Sequence, residues 1–205
     1  AWTYYDGQTG AWRLNNSGLK VTVENEGNVV IGPYAEPASP ALGAQLEFRG
    51  GAGADFVRAY DGANLRFRIT SAGNVTADGT YTSPAADFAE LLPAESGTSA
   101  GDVLVIGSDG RLERSSGPYQ TSVAGVHSTR PAFLGGDRAE AEPGRVPLAV
   151  MGVVPVRATM EGGAIRPGDL LTTSSLAGHA MRCDGAERCF GRTVGKALTG
   201  LDTET

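Results

Sequence analysis

A strand-and-turn pattern that recurs forty-six residues later constrains this chain more than any other feature. Leu19-Lys20-Val21-Thr22-Val23-Glu24 alternates apolar and other side chains and is followed by Gly27-Asn28-Val29; Leu65-Arg66-Phe67-Arg68-Ile69-Thr70 alternates likewise and is followed by Gly73-Asn74-Val75. Alternation with period two is the signature of a half-buried strand, and Gly-Asn accepts the positive φ of a tight turn. Each copy therefore reads as a hairpin. Asp6-Gly7 and Asp61-Gly62 are turn dipeptides of the same style. A lone hairpin is marginal in water, and the apolar side chains in this region are few. Three copies of the chain packed about an axis would bury the alternating faces. Residues 1–88 are accordingly expected to form a hairpin-repeat shaft of a homotrimer, with a small monomeric sandwich as the alternative. Pro84 to Leu92 reads as a short helical turn or extended link, placing the domain boundary there.

From Gly101 onward, short apolar segments are separated by Gly and Pro turns: Gly101–Ile106, Leu112–Ser115, Val123–Ser128, Val146–Ala158, Gly168–Ser174, Gly178–Arg182 and Thr193–Leu198. Gly152 and the prolines divide the longest of these. The 30 glycines and 11 prolines are spread along the chain, so they mark turns rather than a disordered tract. The expected class is all-β, with residues 89–205 forming a small β-barrel or rolled β-sandwich head. Asp102 and Asp169 each follow a Gly at a turn into a strand and are expected to accept hydrogen bonds from nearby backbone; a catalytic carboxylate pair is the sharper alternative.

The order Asp87-Phe88-Ala89-Glu90, Gly101-Asp102-Val103-Leu104, Val123-Ala124-Gly125-Val126, Pro147-Leu148-Ala149, Ile165-Arg166-Pro167-Gly168-Asp169-Leu170-Leu171-Thr172-Thr173-Ser174, Gly178-His179-Ala180-Met181 and Gly195-Lys196-Ala197-Leu198 resembles a β domain of phage tail fibres and fibre-type adhesins. That domain is of the kind found near the intramolecular-chaperone domains of tail fibres, although nothing here matches such a chaperone. The Gly-Asn-Val hairpins are similar to shaft repeats of the same proteins. The resemblance implies a fibre-end module that binds a cell-surface receptor or glycan and joins the rest of a longer fibre. It also implies an extracellular setting, on a virion fibre or at the bacterial surface or periplasm. In that family one more apolar strand usually follows the Lys-Ala-Leu segment.

The chemistry-bearing residues point away from catalysis. Histidine occurs only at 127 and 179. His127 and Ser128 are strand neighbours facing opposite ways, so they form no triad. No cofactor is expected. Zinc on His179, Cys183 and Cys189 fits no closed-site spacing. The two cysteines flank Asp184-Gly185-Ala186, so they are either a hairpin disulfide or two packed thiols. Self-cleavage at Asn16-Ser17 or Cys183 is the enzymatic alternative, and a connector without a ligand is the structural one. A net charge of −6 opposes general nucleic-acid binding, and no apolar run reaches membrane-spanning length. In or beside loops of the distal domain lie Tyr119, His127, Arg130, Phe133 and Phe190, which are the expected ligand-contacting residues. Trp2, Tyr4, Tyr5 and Trp12 read as hairpin core or as contacts to upstream shaft.

Overall fold

The computed structural model describes residues 2–6, 11–16, 19–23, 29–31, 46–48, 53, 55–136 and 144–203. The chain divides into two compact units, Ala1–Tyr81 and Thr82–Thr205. This division falls before the expected boundary after residue 88, because the segment read as a link opens a strand of the second unit at Asp87.

In the first unit, β1 (Trp2–Asp6), β2 (Ala11–Asn16), β3 (Leu19–Val23), β4 (Val29–Ile31) and β5 (Leu46–Phe48) form one sheet in sequence order. A second, three-stranded sheet comprises β6 (Val57–Asp61), β7 (Asn64–Ile69) and β8 (Val75–Ala77). The repeated pattern forms the same hairpin in both. Val23 pairs with Val29 and Val21 with Ile31; Ile69 pairs with Val75 and Phe67 with Ala77. In the second copy Gly73 has φ +82°, its N–H donates to the Thr70 carbonyl, and Asn74 N–H donates to Thr70 Oγ1 at 3.1 Å. The Gly27-Asn28 turn and the side chains of Trp2, Tyr4 and Trp12 lie outside the described residues, as does the Asn16-Ser17 junction. Val57, Phe67 and Ile69 are half-buried, while Tyr60 and Val75 are 54% and 59% exposed.

The second unit holds two sheets. The six-stranded one runs β11 (Leu112–Arg114), β10 (Val103–Ile106), β12 (Val123–His127), β14 (Arg145–Gly152), β9 (Asp87–Pro93) and β13 (Phe133–Gly135). The three-stranded one runs β16 (Ala180–Arg182), β15 (Leu170–Thr173) and β17 (Thr193–Lys196). All pairings in them are antiparallel except β13 with β9. One turn of helix, α1 (Ala186–Cys189), joins β16 to β17.

The expected barrel is not formed, because the six-stranded sheet does not close on itself. Its edges are the three-residue strands β11 and β13, too short to pair around a cylinder, and the chain leaves the sheet at Gly152 (φ +116°). A Cβ there would lie 2.4 Å from the Ala86 carbonyl, so only glycine permits the exit. Val153–Ala158 then continues to a bridge between Ala158 and Ala180.

Strand β10 is the pivot of the core. Side chains alternate across a strand, so Val103 packs with Ile165, Leu171, Ala180 and Ala197, whereas Leu104 packs with Ala94, Leu112 and Leu148. Both are fully buried, each contributing about 2 kcal/mol by area burial.

Candidate functional site

The most constrained loop joins β16 to β17. Cys183 and Cys189 form a disulfide with Cα atoms 5.9 Å apart. Inside it, Gly185 (φ +82°) opens the single turn of α1, whose Cys189 and Phe190 N–H groups donate to the Gly185 and Ala186 carbonyls. Arg192 then anchors the exit: its N–H donates to the Cys189 carbonyl, its guanidinium to the Arg188 carbonyl, and its own carbonyl accepts Thr172 Oγ1 from β15 at 2.6 Å. Phe190 sits at the end of this braced turn with 87% of its surface exposed.

A second loop meets the first through one contact. The Arg188 guanidinium lies 4.1 Å from the centroid of the Tyr119 ring, a cation–π arrangement. Tyr119 is half-buried and has φ +59° without being glycine. Such a conformation costs about 1 kcal/mol or more and persists only where the surroundings hold it. They do so here: Tyr119 N–H donates to the Thr173 carbonyl, Gln120 N–H to Thr173 Oγ1, and Gln120 Oε1 accepts from Ser116 and Gly117. The result is a hydrogen-bonded surface carrying an exposed phenyl ring, a cation and a phenol on neighbouring turns.

The five expected contact residues therefore do not share one site. Tyr119 and Phe190 belong to this braced surface. Phe133 instead stacks on Phe88, with ring centroids 4.8 Å apart and planes 8° from parallel, in a cross-strand row Met151–Phe88–Phe133. Arg130 is exposed in the turn preceding β13. His127 is half-buried at the end of β12, next to β14 and beside Asp102. Most of the acidic loop between Gly135 and Gly144 lies outside the described residues.

Two side chains of these contacts escaped the sequence reading. Arg188 stood inside the cysteine loop, but its partner is 69 residues away. Phe88 was read within a link, whereas strand pairing with Phe133 makes it half of an aromatic pair.

Metal chemistry finds no set of donors: among the described residues no three His, Cys, Asp or Glu side chains are grouped to hold an ion. Both cysteines are joined to each other, and His179 Nδ1 contacts the Ala177 carbonyl at 2.9 Å. Asp102 and Asp169 accept from the backbone N–H of Ser99 and Arg166, both at 2.7 Å, each side chain reaching back three residues across its turn. No helix among the described residues is long and apolar enough to cross a membrane. No protein family, curated protein or solved structure matches the chain.

Proposed function

We propose that this chain is the adhesion or receptor-recognition end of a homotrimeric, tail-fibre-like protein, acting outside the cell by binding a surface ligand such as a glycan. The observation that carries the reading is Phe190, held 87% exposed on a disulfide-closed turn beside the Arg188–Tyr119 pair. An exposed phenyl ring gains nothing from water, and a braced one loses little entropy on binding. Planar apolar rings stack on sugar faces, and a neighbouring guanidinium supplies hydrogen bonds to hydroxyl or carboxylate groups. The disulfide fits an oxidising setting. Three copies on one fibre would multiply weak contacts into useful avidity. The exposed Tyr60 and Val75 on the β6–β8 sheet fit burial against other copies.

A connector without a ligand is the second reading. It is favoured by the Met151–Phe88–Phe133 row, whose side chains are 65%, 43% and 41% exposed and fit packing against another part of a fibre. A self-processing domain is the third, and a chain whose 21.1 kDa mass never shortens excludes it.

The test combines light scattering with glycan and cell-surface binding by the wild-type chain and Phe190→Ala. A mass three times that of the chain, with binding lost in the variant, supports the adhesin reading. A trimer that binds nothing supports the connector, and a monomer removes the fibre assignment.

A further inference from the structure

A groove of about 920 Å³ lies within the second unit, remote in sequence from the Tyr119 loop and outside the adhesion reading above. One wall is the stretch Val153 to Val156 that leaves the six-stranded sheet; the other runs from Val194 to Leu201 along β17 and beyond. The volume falls within the range of ligand-binding clefts, roughly 300–1,000 Å³. Its side chains are mostly aliphatic, with Thr199 and Lys196 the polar exceptions, and Lys196 is the single charged side chain among those lining it. That ammonium has no acidic partner among the described residues.

The first wall is extended by its own sequence. Pro155 fixes its φ near −65° and keeps Val154 out of the helical region. Among the described residues, the backbone N–H groups of Val154 and Val156 donate to no protein acceptor, unlike those of Val153 and Arg157 on either side. The opposite wall is an edge strand, since β17 pairs only with β15. An acyl chain would fill the apolar volume but leave these backbone groups unpaired. An extended peptide offers carbonyls to them and apolar side chains to the walls together, which is recognition by strand addition. The Lys196 ammonium, without an acidic partner among the described residues, adds the complement of a terminal carboxylate.

We propose that this groove binds the extended, apolar C-terminal end of another polypeptide, with its free carboxylate on Lys196 and its backbone against Val153–Val156. Specificity then comes from small aliphatic side chains at alternate positions, and the carboxylate sets where the peptide stops.

The test uses the intact chain and fluorescein-labelled Gly-Thr-Val-Thr-Val ending in a free carboxylate, followed by fluorescence polarisation. Saturable binding is expected. The C-terminal amide should bind about fivefold more weakly, the size of a partly exposed ion pair. A depsipeptide with esters in place of both Thr–Val amides presents weaker carbonyl acceptors to the Val154 and Val156 N–H groups and should bind about tenfold more weakly. Lys196→Gln changes an exposed residue, so folding is preserved; it should weaken the acid about fivefold and abolish the difference between acid and amide, the expected coupling of one contact. No binding at millimolar peptide, or equal binding of acid and amide, overturns the proposal. Laurate that displaces the peptide with equal affinity overturns it in favour of an acyl ligand. A chain that binds peptide only after dilution to monomer assigns the groove to a second copy and overturns a separate partner.

Discussion

Arg157 Nη1 lies 2.6 Å from Asp102 Oδ1, and Asp102 has no exposed surface. The second carboxylate oxygen accepts Ser99 N–H, and the Asp102 carbonyl accepts His127 N–H at 2.9 Å. One side chain thereby ties the start of β10 to the segment that leaves β14, while its backbone holds β12. Removing one partner of a buried pair leaves the other charge uncompensated. Arg157 is 44% exposed, so water replaces part of what it supplies. Arg157→Ala is expected to lower unfolding free energy by about 2 kcal/mol, read from urea titrations with unchanged slope. A loss below 0.5 kcal/mol, the scatter of ordinary surface changes, contradicts a structural pair.

Gly178 tests the same knot from the other side. Its φ is +74°, and a Cβ there would stand 2.8 Å from Asp102 Oδ1. Its N–H donates to the Ser115 carbonyl and its carbonyl accepts Val103 N–H, so the backbone has little room to retreat. Gly178→Ala combines a left-handed conformation with a close contact, and about 2 kcal/mol of destabilisation is expected. Gly178→Ala and Arg157→Ala share Asp102, so their effects should not add in the double variant.

His127 gives the chain a pH dependence of known sign. Burial pushes its pKa below the ordinary value of 6.5, and the nearby Asp102 charge offsets only part of this. Its Nδ1 is buried with no protein partner among the described residues. Above pH 6.5 the imidazole is neutral in both folded and unfolded chain. Below that value the unfolded chain binds a proton that the folded chain resists, so stability is lost as pH falls, levelling off once the lower folded pKa is passed. The urea midpoint should drop between pH 7.5 and 5.5, and the drop should shrink in His127→Gln. An unchanged pH profile in that variant would show that another group carries the effect.

The strands were largely legible in the sequence because period-two alternation and Gly-Asn or Ser-Asp-Gly turns act over a few residues, as the matched registers of Val23–Val29 and Ile69–Val75 show. What stayed hidden depends on distance along the chain. The stretch from Asp87 looks like a link until β14, nearly sixty residues later, supplies its partner. His127 reads as part of a strand, but that Leu148 of β14 would pair with it is not visible in the local sequence. The failure of the sheet to close is set by the exit at Gly152, where the approach of the Ala86 carbonyl leaves no trace in local sequence. The candidate site divides the same way: Phe190 and Tyr119 were readable as loop aromatics, but the Arg188 contact joining their loops was not.

The disulfide and Phe190 make opposite predictions from neighbouring positions. Cys183 and Cys189 close a loop with sequence separation 6, for which chain entropy gives a stabilisation of about 2 kcal/mol. Reduction should therefore lower the melting temperature and free the turn, exposing the Arg188 peptide bond to trypsin, which the oxidised chain resists. Phe190→Ala removes a side chain that is 87% exposed and should leave the melting temperature nearly unchanged, within about 0.5 kcal/mol. If the ring serves recognition, the same variant loses ligand binding at full stability, whereas reduction weakens binding by loosening the turn that presents it. A Phe190→Ala chain that melts early would instead show the ring to be part of the packing, and the braced turn would then serve the fold alone.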